Sequence, residues 1–246
     1  MIKCVKILLS GVIFLFPSSI SRLFVNCFTG FFIGKGVRIG FTLMLCDRIK
    51  IADGCYIGHF NLISSRNFEM KENNKIKHFN RIHGRFDMIM YKCAWINSQN
   101  RITGLHHISY SVPQFIMGES SVIIMNHAFD VTDSITLKKG VLFAGSGSQV
   151  WTHAFYMGKN RNVRIDGAVE IGERCYIGAR SVICSGVKLA DAIVIGANTT
   201  VSKSLTQSGL YVNQALRYIP FDADESIQKL EELNCRVDKN VYRKNI

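Results

Sequence analysis

Apolar residues return at every sixth position over three long stretches of the chain, 33–63, 117–141 and 165–201. A period of six matches neither the 3.6-residue turn of a helix nor the alternation of a strand, but it is typical of a parallel β-helix, in which short strands stack coil upon coil. A weaker series at Ile96, Ile102 and Ile108 connects the first two stretches and favours one continuous solenoid. The residues in phase are Ile33, Ile39, Leu45, Ile51, Ile57 and Ile63; Met117, Ile123, Phe129, Ile135 and Val141; and Ile165, Ile171, Ile177, Ile183, Leu189, Ile195 and Val201.

Small residues accompany the third stretch and predict a narrow coil. Glycine directly follows the apolar residue at Gly172, Gly178 and Gly196. A second inward position, four residues after each apolar residue, is occupied by Cys175, Ser181, Val187, Ile193 and Thr199. The alternative fold, a β-sandwich, would show two-residue alternation with turn signals about every 8–12 residues. The six-residue period therefore favours the β-helix.

The repeat pattern divides the chain into three parts. Residues 33–203 are predicted to form the β-helix, with excursions from the coil at 66–92 and 153–164 where the phase is lost. Residues 204–246 are predicted to form a C-terminal cap with a short helix, because a capping-box pattern at 222–225 precedes apolar residues at helical spacing.

Residues 1–32 carry two apolar blocks separated by Pro17. The first block is shorter than the roughly 20 residues that cross a bilayer as a helix. Two interpretations stay open: a helical cap on the first coil, or an amphipathic helix that contacts the membrane surface. Arg22, Lys35 and Arg38 lie nearby in the sequence and would suit an anionic surface.

Composition limits the partners and the compartment. The net charge of +12 favours anionic partners such as a phosphate-bearing cofactor, an acidic glycan or a membrane face. Zinc-finger, RNP and basic-helix signatures are absent from the sequence, so nucleic acid is not expected. The eight cysteines include no CxxC pair and fit a reducing compartment. We therefore expect a cytoplasmic protein, and location at the inner face of the membrane stays open as an alternative.

The strongest local motif follows His153. After a short interruption the chain reads VEIGERCYIGARSVICSGVKL from Val169 and VIGANTTVSKSL from Val194. This pattern resembles the left-handed β-helix acyltransferases with hexapeptide repeats, which include galactoside, maltose and xenobiotic acetyltransferases and polysaccharide O-acetyltransferases. The chain departs from the family pattern at Tyr176, where the family has tryptophan, and at 213–217, where NQALR replaces the closing GxPAR.

The resemblance implies an all-β, left-handed parallel β-helix that acts as a homotrimer with active sites between subunits. It implies that His153 is the general base, since an imidazole can take a proton near neutral pH. It also implies acetyl-CoA as the acyl donor, with no metal. The implied cofactor-binding residues are Tyr176, Ala179, Ala197, Ser202, Lys203 and Arg217. Candidates for contact with a carbohydrate acceptor are Asn126, His127, Asp130 and Trp151.

These residues predict transfer of an acetyl group from acetyl-CoA to a sugar hydroxyl of a surface polysaccharide or glycan precursor. An N-acetyltransferase acting on an amino sugar, free or nucleotide-linked, is the alternative, because His153 could serve an amine equally well. A metal-dependent hydratase resembling the γ-class carbonic anhydrases would need three converging histidines, and only His127 and His153 are candidates. A coil that only binds partners is the non-enzymatic alternative.

Overall fold

The computed structural model describes residues 2–105 and 111–213, and near the C-terminus residues 225, 228, 231–232 and 241–243. Arg217 and most of the helix predicted after residue 222 lie outside the described residues. Glu225 is helical, but Glu231–Glu232 form a strand where the prediction continues the helix.

The chain winds into a β-helix with three faces, each a parallel sheet. Each coil contributes one short strand to sheet A, then one to sheet B, then one to sheet C. Sheet A contains β1 (Phe31–Ile33), β4 (Arg48–Ile51), β7 (Asn67–Met70), β10 (Asp87–Met90), β13 (Gln114–Met117), β16 (Ile135–Leu137), β21 (Val169–Ile171) and β24 (Lys188–Leu189). Sheet B contains β2 (Arg38–Ile39), β5 (Tyr56–Ile57), β8 (Lys75–Ile76), β11 (Trp95–Ile96), β14 (Val122–Met125), β17 (Leu142–Ser146), β22 (Tyr176–Ile177), β25 (Ile193–Ile195) and β27 (Gly209–Tyr211). Sheet C contains β3 (Leu43–Met44), β6 (Leu62–Ser64), β9 (Arg81–His83), β12 (Arg101–Thr103), β15 (Ala128–Asp130), β18 (Gln149–Val150), β23 (Val182–Ile183) and β26 (Thr200–Val201).

The core is a stack of apolar side chains, one or two from each strand. Ile171, Ile177 and Ile183 occupy sheets A, B and C in turn, and all three are fully buried. Six residues therefore carry the chain from one sheet of the β-helix to the next, as the period predicted. Two members of the series differ: Ile165 lies outside the coil, in the hairpin described below, and Leu45 is only half-buried beside the buried Met44.

The excursion predicted at 66–92 is wrong, because strands β7–β10 continue the coil through it. The buried residues here are Met70, Ile76, Ile82 and Met88, which keep the six-residue spacing. Methionine fills the core where isoleucine does elsewhere, and the step from Ile63 to Met70 is one residue longer than the repeat. Because of this shift of phase and the basic residues on the outer surface of the coils, the repeat is hard to recognise in the sequence.

A buried polar ladder runs along the corner between sheets B and C. Within it the side chain of one coil accepts a backbone N–H of the next; Asn100 Oδ1 accepts from His127 N at 2.9 Å, and His127 Nδ1 accepts from Ser148 N at 3.0 Å. The members are Thr42, Asn61, Asn80, Asn100, His127, Ser148, Ser181 and Thr199, all buried. His127 is thus a step of this ladder and only 1% exposed, which corrects its prediction as an acceptor-contacting residue.

Two helices, α1 (Ile2–Leu15) and α2 (Ser18–Val25), cover the open end of the first coil. Leu9 and Ile13 of α1 are buried against the core. Ser10 and Ser18 accept the backbone N–H groups of Met44 and Ile39, which satisfies donors at the edge of the coil. Both helices also keep apolar side chains exposed on their outer surface, including Ile7, Leu8, Leu15, Leu23 and Phe24. No helix in the described part of the chain is long and apolar enough to cross a membrane.

One hairpin leaves the coil between sheets C and A, where the sequence predicts the second excursion. It consists of β19 (His153–Met157) and β20 (Asn162–Asp166), paired antiparallel. Near the C-terminus, β29 (Val241–Arg243) adds to β20 in parallel, and β28 (Glu231–Glu232) pairs with β29. This four-stranded sheet projects from the solenoid and ties the C-terminal segment to the hairpin.

Candidate active site

His153 stands at the base of the hairpin, where the chain leaves sheet C. Strand β18 ends at Val150, and Trp151 and Thr152 lead directly into β19. Across the hairpin His153 is paired with Asp166, and beside it in the previous coil lies the end of β15. The coil thus fixes the backbone of His153 on both sides.

Asp130 holds the imidazole of His153. Its Oδ2 lies 2.7 Å from His153 Nδ1, and the two side chains are 7% and 16% exposed. The Thr132 hydroxyl donates to Asp130 Oδ1 at 2.7 Å, and the Thr152 backbone N–H donates to Oδ2 at 3.1 Å. Burial opposes ionisation of this carboxyl, but the hydrogen bonds from His153, Thr132 and Thr152 outweigh it and lower the pKa of Asp130.

An ionised Asp130 sets the tautomer of His153. A carboxylate only accepts, so Nδ1 carries the proton and the lone pair is left on Nε2. The hydrogen bond of the His153 ring is made by Nδ1, and Nε2 forms none within the described residues. A nearby proton donor, such as a substrate hydroxyl, can therefore give its proton to Nε2, and Asp130 stabilises the imidazolium that forms.

Two aromatic rings flank the imidazole. The Trp151 ring is 6.4 Å from it and the Phe155 ring 5.8 Å, both in edge-to-face orientation. The Trp151 indole N–H donates to Gln149 Oε1 at 3.0 Å, which fixes the orientation of the indole. Trp151 and Phe155 are 41% and 57% exposed, so they form open walls rather than a closed pocket.

A buried ion pair lies in strand β20 of the hairpin, directly behind His153. Arg164 and Asp166 of β20 are 2% and 0% exposed, and the guanidinium donates to both carboxylate oxygens, at 2.8 and 2.9 Å. Burial raises the pKa of Asp166, and the bonds from Arg164 partly offset this effect. The bidentate pair thus compensates two buried charges within β20, the strand that pairs with His153.

A cavity of about 250 Å³ opens on sheet C beside the Asp130–His153 pair. Asp130 and Trp151 line it on the side of His153, and Arg81 and Arg101 line it toward the N-terminal coils. Thr103, Ala128, Phe129 and Val150 complete its lining. Of the predicted acceptor residues, Asp130 and Trp151 therefore meet at this cavity.

The other predicted residues lie elsewhere. Asn126 is exposed at the corner between sheets B and C, four residues from Asp130 and so about 13 Å away along an extended strand. Ala179 and Ala197 occupy the same corner on successive coils, where Gly145 and Gly178 pack closely against them. Tyr176 is exposed on sheet B. Ser202 and Lys203 are exposed beyond β26, toward the C-terminal end from His153.

Sequence reasoning missed the residues that support His153. Thr132, Thr152, Arg164 and Asp166 carry no motif, and Asp130 was expected to contact the acceptor rather than the base. Asp130 lies 23 residues before His153. Because a coil with its corners takes about 20 residues here, a strand-by-strand register would have placed the two side chains together. Among the described residues, no three histidine, cysteine, aspartate or glutamate side chains converge as a metal-binding group.

Comparison with known proteins supports the repeat architecture. Residues 168–203 match the family model described as the hexapeptide repeat of succinyl-transferase. A UDP-3-O-acylglucosamine N-acyltransferase of Delftia acidovorans is 36% identical over 95 residues, which cover 35% of this chain and 27% of that protein. The match thus spans about a quarter of the length of this curated relative.

Two solved structures that align with most of the chain share little sequence with it. A UDP-N-acetylglucosamine acyltransferase from Campylobacter jejuni is 15% identical with a TM-score of 0.43, over 81% of this chain and 77% of its own. A maltose O-acetyltransferase from Clostridium difficile is 14% identical with a TM-score of 0.29, over 86% of this chain and 81% of its own. The matched hexapeptide repeats and the three-faced parallel coil that they build give the chain the architecture of a hexapeptide-repeat β-helix, as the sequence predicts.

Proposed function

We propose that the protein transfers an acyl group, most simply acetyl, from a coenzyme A thioester to a sugar hydroxyl of a surface polysaccharide or glycan precursor. The observation that carries this proposal is the Asp130–His153 pair, in which a buried carboxylate holds Nδ1 and leaves the lone pair on Nε2, beside an open cavity that Asp130 lines. That arrangement is a general base fixed in one tautomer.

The reaction needs one proton acceptor and one leaving group. His153 Nε2 takes the proton of the acceptor hydroxyl as the oxygen attacks the thioester carbonyl carbon. The carbon–sulfur bond then breaks, and the imidazolium returns the proton to the thiolate, so the products are an ester and free coenzyme A. Asp130 stabilises the transient imidazolium because it stays ionised.

Tyr176, Ala179, Ala197, Ser202, Lys203 and Arg217 are the residues that we propose for the donor. Ala179 and Ala197 follow one another on successive coils, which supports contact with one extended ligand. Lys203 would attract phosphate by charge. Because these alanines and His153 lie on opposite edges of sheet C, we propose a homotrimer in which the neighbouring subunit supplies the donor-binding corner.

An amino sugar is the second candidate acceptor, and the curated relative named as an N-acyltransferase favours it. His153 would keep its role as proton acceptor, because an amino group that is protonated near neutral pH must lose a proton before its nitrogen can attack the thioester carbon. The two products differ chemically: an ester is released by mild alkali, whereas an amide survives it. Mass spectrometry of the product before and after alkali therefore separates the two functions.

Thiol release from acetyl-CoA tests the proposal, with a panel of polysaccharides, oligosaccharides and nucleotide sugars as acceptors. We expect acceptor-dependent release that falls by about a hundredfold or more in His153→Ala. His78→Ala is the matched control, because this half-buried histidine lies at the opposite corner of sheet C. Full turnover in His153→Ala, with both variants folded by circular dichroism, would refute the general-base assignment.

A further inference from the structure

Two arginines stand side by side on the outer surface of sheet C without a counterion. Arg81 of β9 and Arg101 of β12 are register partners on neighbouring strands, so their Cα atoms are about 5 Å apart. Both are exposed, and neither forms an ion pair or a side-chain hydrogen bond within the described residues. Like charges directly opposite one another on a sheet repel, so this pair is favourable only where an anion compensates it.

The next residues in the same column create a hollow in front of the arginines. Ala128 follows Arg101 in register, and Gln149 follows Ala128. Because alanine has no side-chain atoms beyond Cβ, the space above Ala128 stays empty. The longer side chains of Arg101 and Gln149 border this space on either side. Gln149 is held by the Trp151 indole, whose ring forms the far wall of the hollow. The cavity is thus bounded by two cations on one side and an aromatic wall on the other.

The hollow leads directly to the general base. Asp130 and Trp151 belong to its lining, and both also contact the His153 ring. The carboxylate of Asp130 is buried and already accepts from His153, Thr132 and Thr152, so it offers little repulsion to an incoming anion. From the Arg101 strand to the Trp151 strand there are two steps, or about 10 Å. A ligand whose acid group meets the arginines can therefore place a neighbouring sugar ring beside His153.

We propose that Arg81 and Arg101 bind the acid group of the acceptor, so that the enzyme selects an anionic glycan, bearing a carboxylate or a phosphate, over a neutral one. This inference rests on the proposed acyl transfer. It assigns the anion to the acceptor rather than to coenzyme A, because the exposed donor-binding candidates Ser202 and Lys203 lie toward the C-terminal end from His153 and the arginines lie toward the N-terminal end. Two guanidinium groups at strand spacing can share one carboxylate or phosphate through charge-assisted hydrogen bonds.

Steady-state kinetics provide the first test, with three acceptors of similar size: a uronate-containing oligosaccharide, a nucleotide sugar and a neutral oligosaccharide. In Arg101→Gln and in Arg81→Gln we expect kcat/KM for the preferred acidic acceptor to fall about tenfold or more, chiefly through KM, with less than about a twofold change for the neutral one. The KM of acetyl-CoA should stay unchanged. Arg48→Gln, which removes an exposed arginine from sheet A, is the control.

Equilibrium binding provides a second test that does not depend on catalysis. The same acidic acceptors are titrated against the full chain without acyl donor, at low and at high salt. Binding that weakens with salt and is lost in the Arg81→Gln, Arg101→Gln double variant, but kept in Arg48→Gln, supports the acid site even if no thiol is ever released. Equal loss for the neutral oligosaccharide, no loss in the double variant, or weakened binding of coenzyme A alone overturns the inference.

Discussion

Asp130 is the residue on which the chemistry of His153 depends. In Asp130→Asn the side chain loses its charge and can present N–H to Nδ1, which would favour the tautomer with the proton on Nε2 and so block the base. We expect kcat to fall by about a hundredfold or more, with little change in the KM of acetyl-CoA. Thiol release at saturating substrate measures this effect.

Asp191→Asn is the control for that substitution. Asp191 also accepts a backbone N–H, from Glu173 at 2.7 Å, but at a corner that does not contact His153. A similar rate for both variants would show that Asp130 has only a structural role.

His127 makes the stability of the fold depend on pH. Burial lowers its pKa from 6.5 to about 4, although hydrogen bonding with the backbone of Ser148, Gly145 and Phe143 partly offsets the effect. The neutral ring is required in the folded state, while the unfolded chain takes up a proton below its ordinary pKa. Stability is therefore full above pH 6.5 and falls, by about 3 kcal/mol, as the pH drops toward 4.

The variant His127→Asn isolates this dependence, because asparagine occupies the same ladder at Asn61, Asn80 and Asn100. We expect its free energy of unfolding, measured by urea denaturation, to lose less than the wild type between pH 7 and pH 4. Removing the exposed imidazole in His83→Asn serves as the comparison. Parallel curves for wild type and His127→Asn would exclude a neutral buried His127 as the cause.

At the scale of elements, strand β20 of the hairpin contains the buried ion pair of Arg164 and Asp166. Asp166→Ala leaves the guanidinium of Arg164 buried without this partner, and we expect a loss of about 3 kcal/mol in unfolding free energy. The rate of acyl transfer should fall as well, because Asp166 pairs with His153 across the hairpin.

Glu170→Ala is the control for Asp166→Ala, because it breaks the surface ion pair that Glu170 forms with Lys138. Exposed pairs contribute less than about 1 kcal/mol, so denaturation should hardly shift. Equal losses from both variants would contradict the idea that the hairpin depends on a desolvated pair.

Most of the coil could be predicted from sequence, and its gaps have physical reasons. The series from Ile171 to Val201 marks successive faces because every strand there is short and every corner is regular. Ile165 fits the six-residue period although it belongs to the hairpin. In a buried strand every second residue is apolar, so an apolar residue can also fall six positions before Ile171. The coils at 67–90 were not predicted, because Phe68, Met70 and Met88 occupy core positions that hold isoleucine in other coils.

At the scale of the whole molecule, the site was predictable only where a motif pointed to it. His153 precedes the regular repeats and could be named from the resemblance. Arg81, by contrast, lies in the predicted excursion, and Arg101 lies in the weaker series that contains Ile96 and Ile102. Their position beside His153 depends on the stacking of four strands of sheet C, β9, β12, β15 and β18. No local pattern carries that information, because each strand contributes only one to three side chains to the cavity wall.

An apolar stripe on sheet B predicts how subunits meet. Tyr176, Val194 and Leu210 are register partners on successive strands and are 41%, 38% and 66% exposed. Apolar side chains grouped on an outer face mark an association surface, and a closed ring of three fits a proposed site that needs a neighbour's corner. We expect light scattering to give about three times the chain mass of 27.7 kDa.

Val194→Glu should dissociate this assembly, because it places a charge in the middle of the stripe. Arg38→Glu, at the other end of the same sheet, changes the charge without touching the stripe and should stay trimeric. If the donor lies between subunits, the monomeric variant should also lose thiol release although Asp130 and His153 are intact. A monomer with full activity would mean that one chain holds the complete site, and the donor would then have to reach His153 across sheet C of the same subunit.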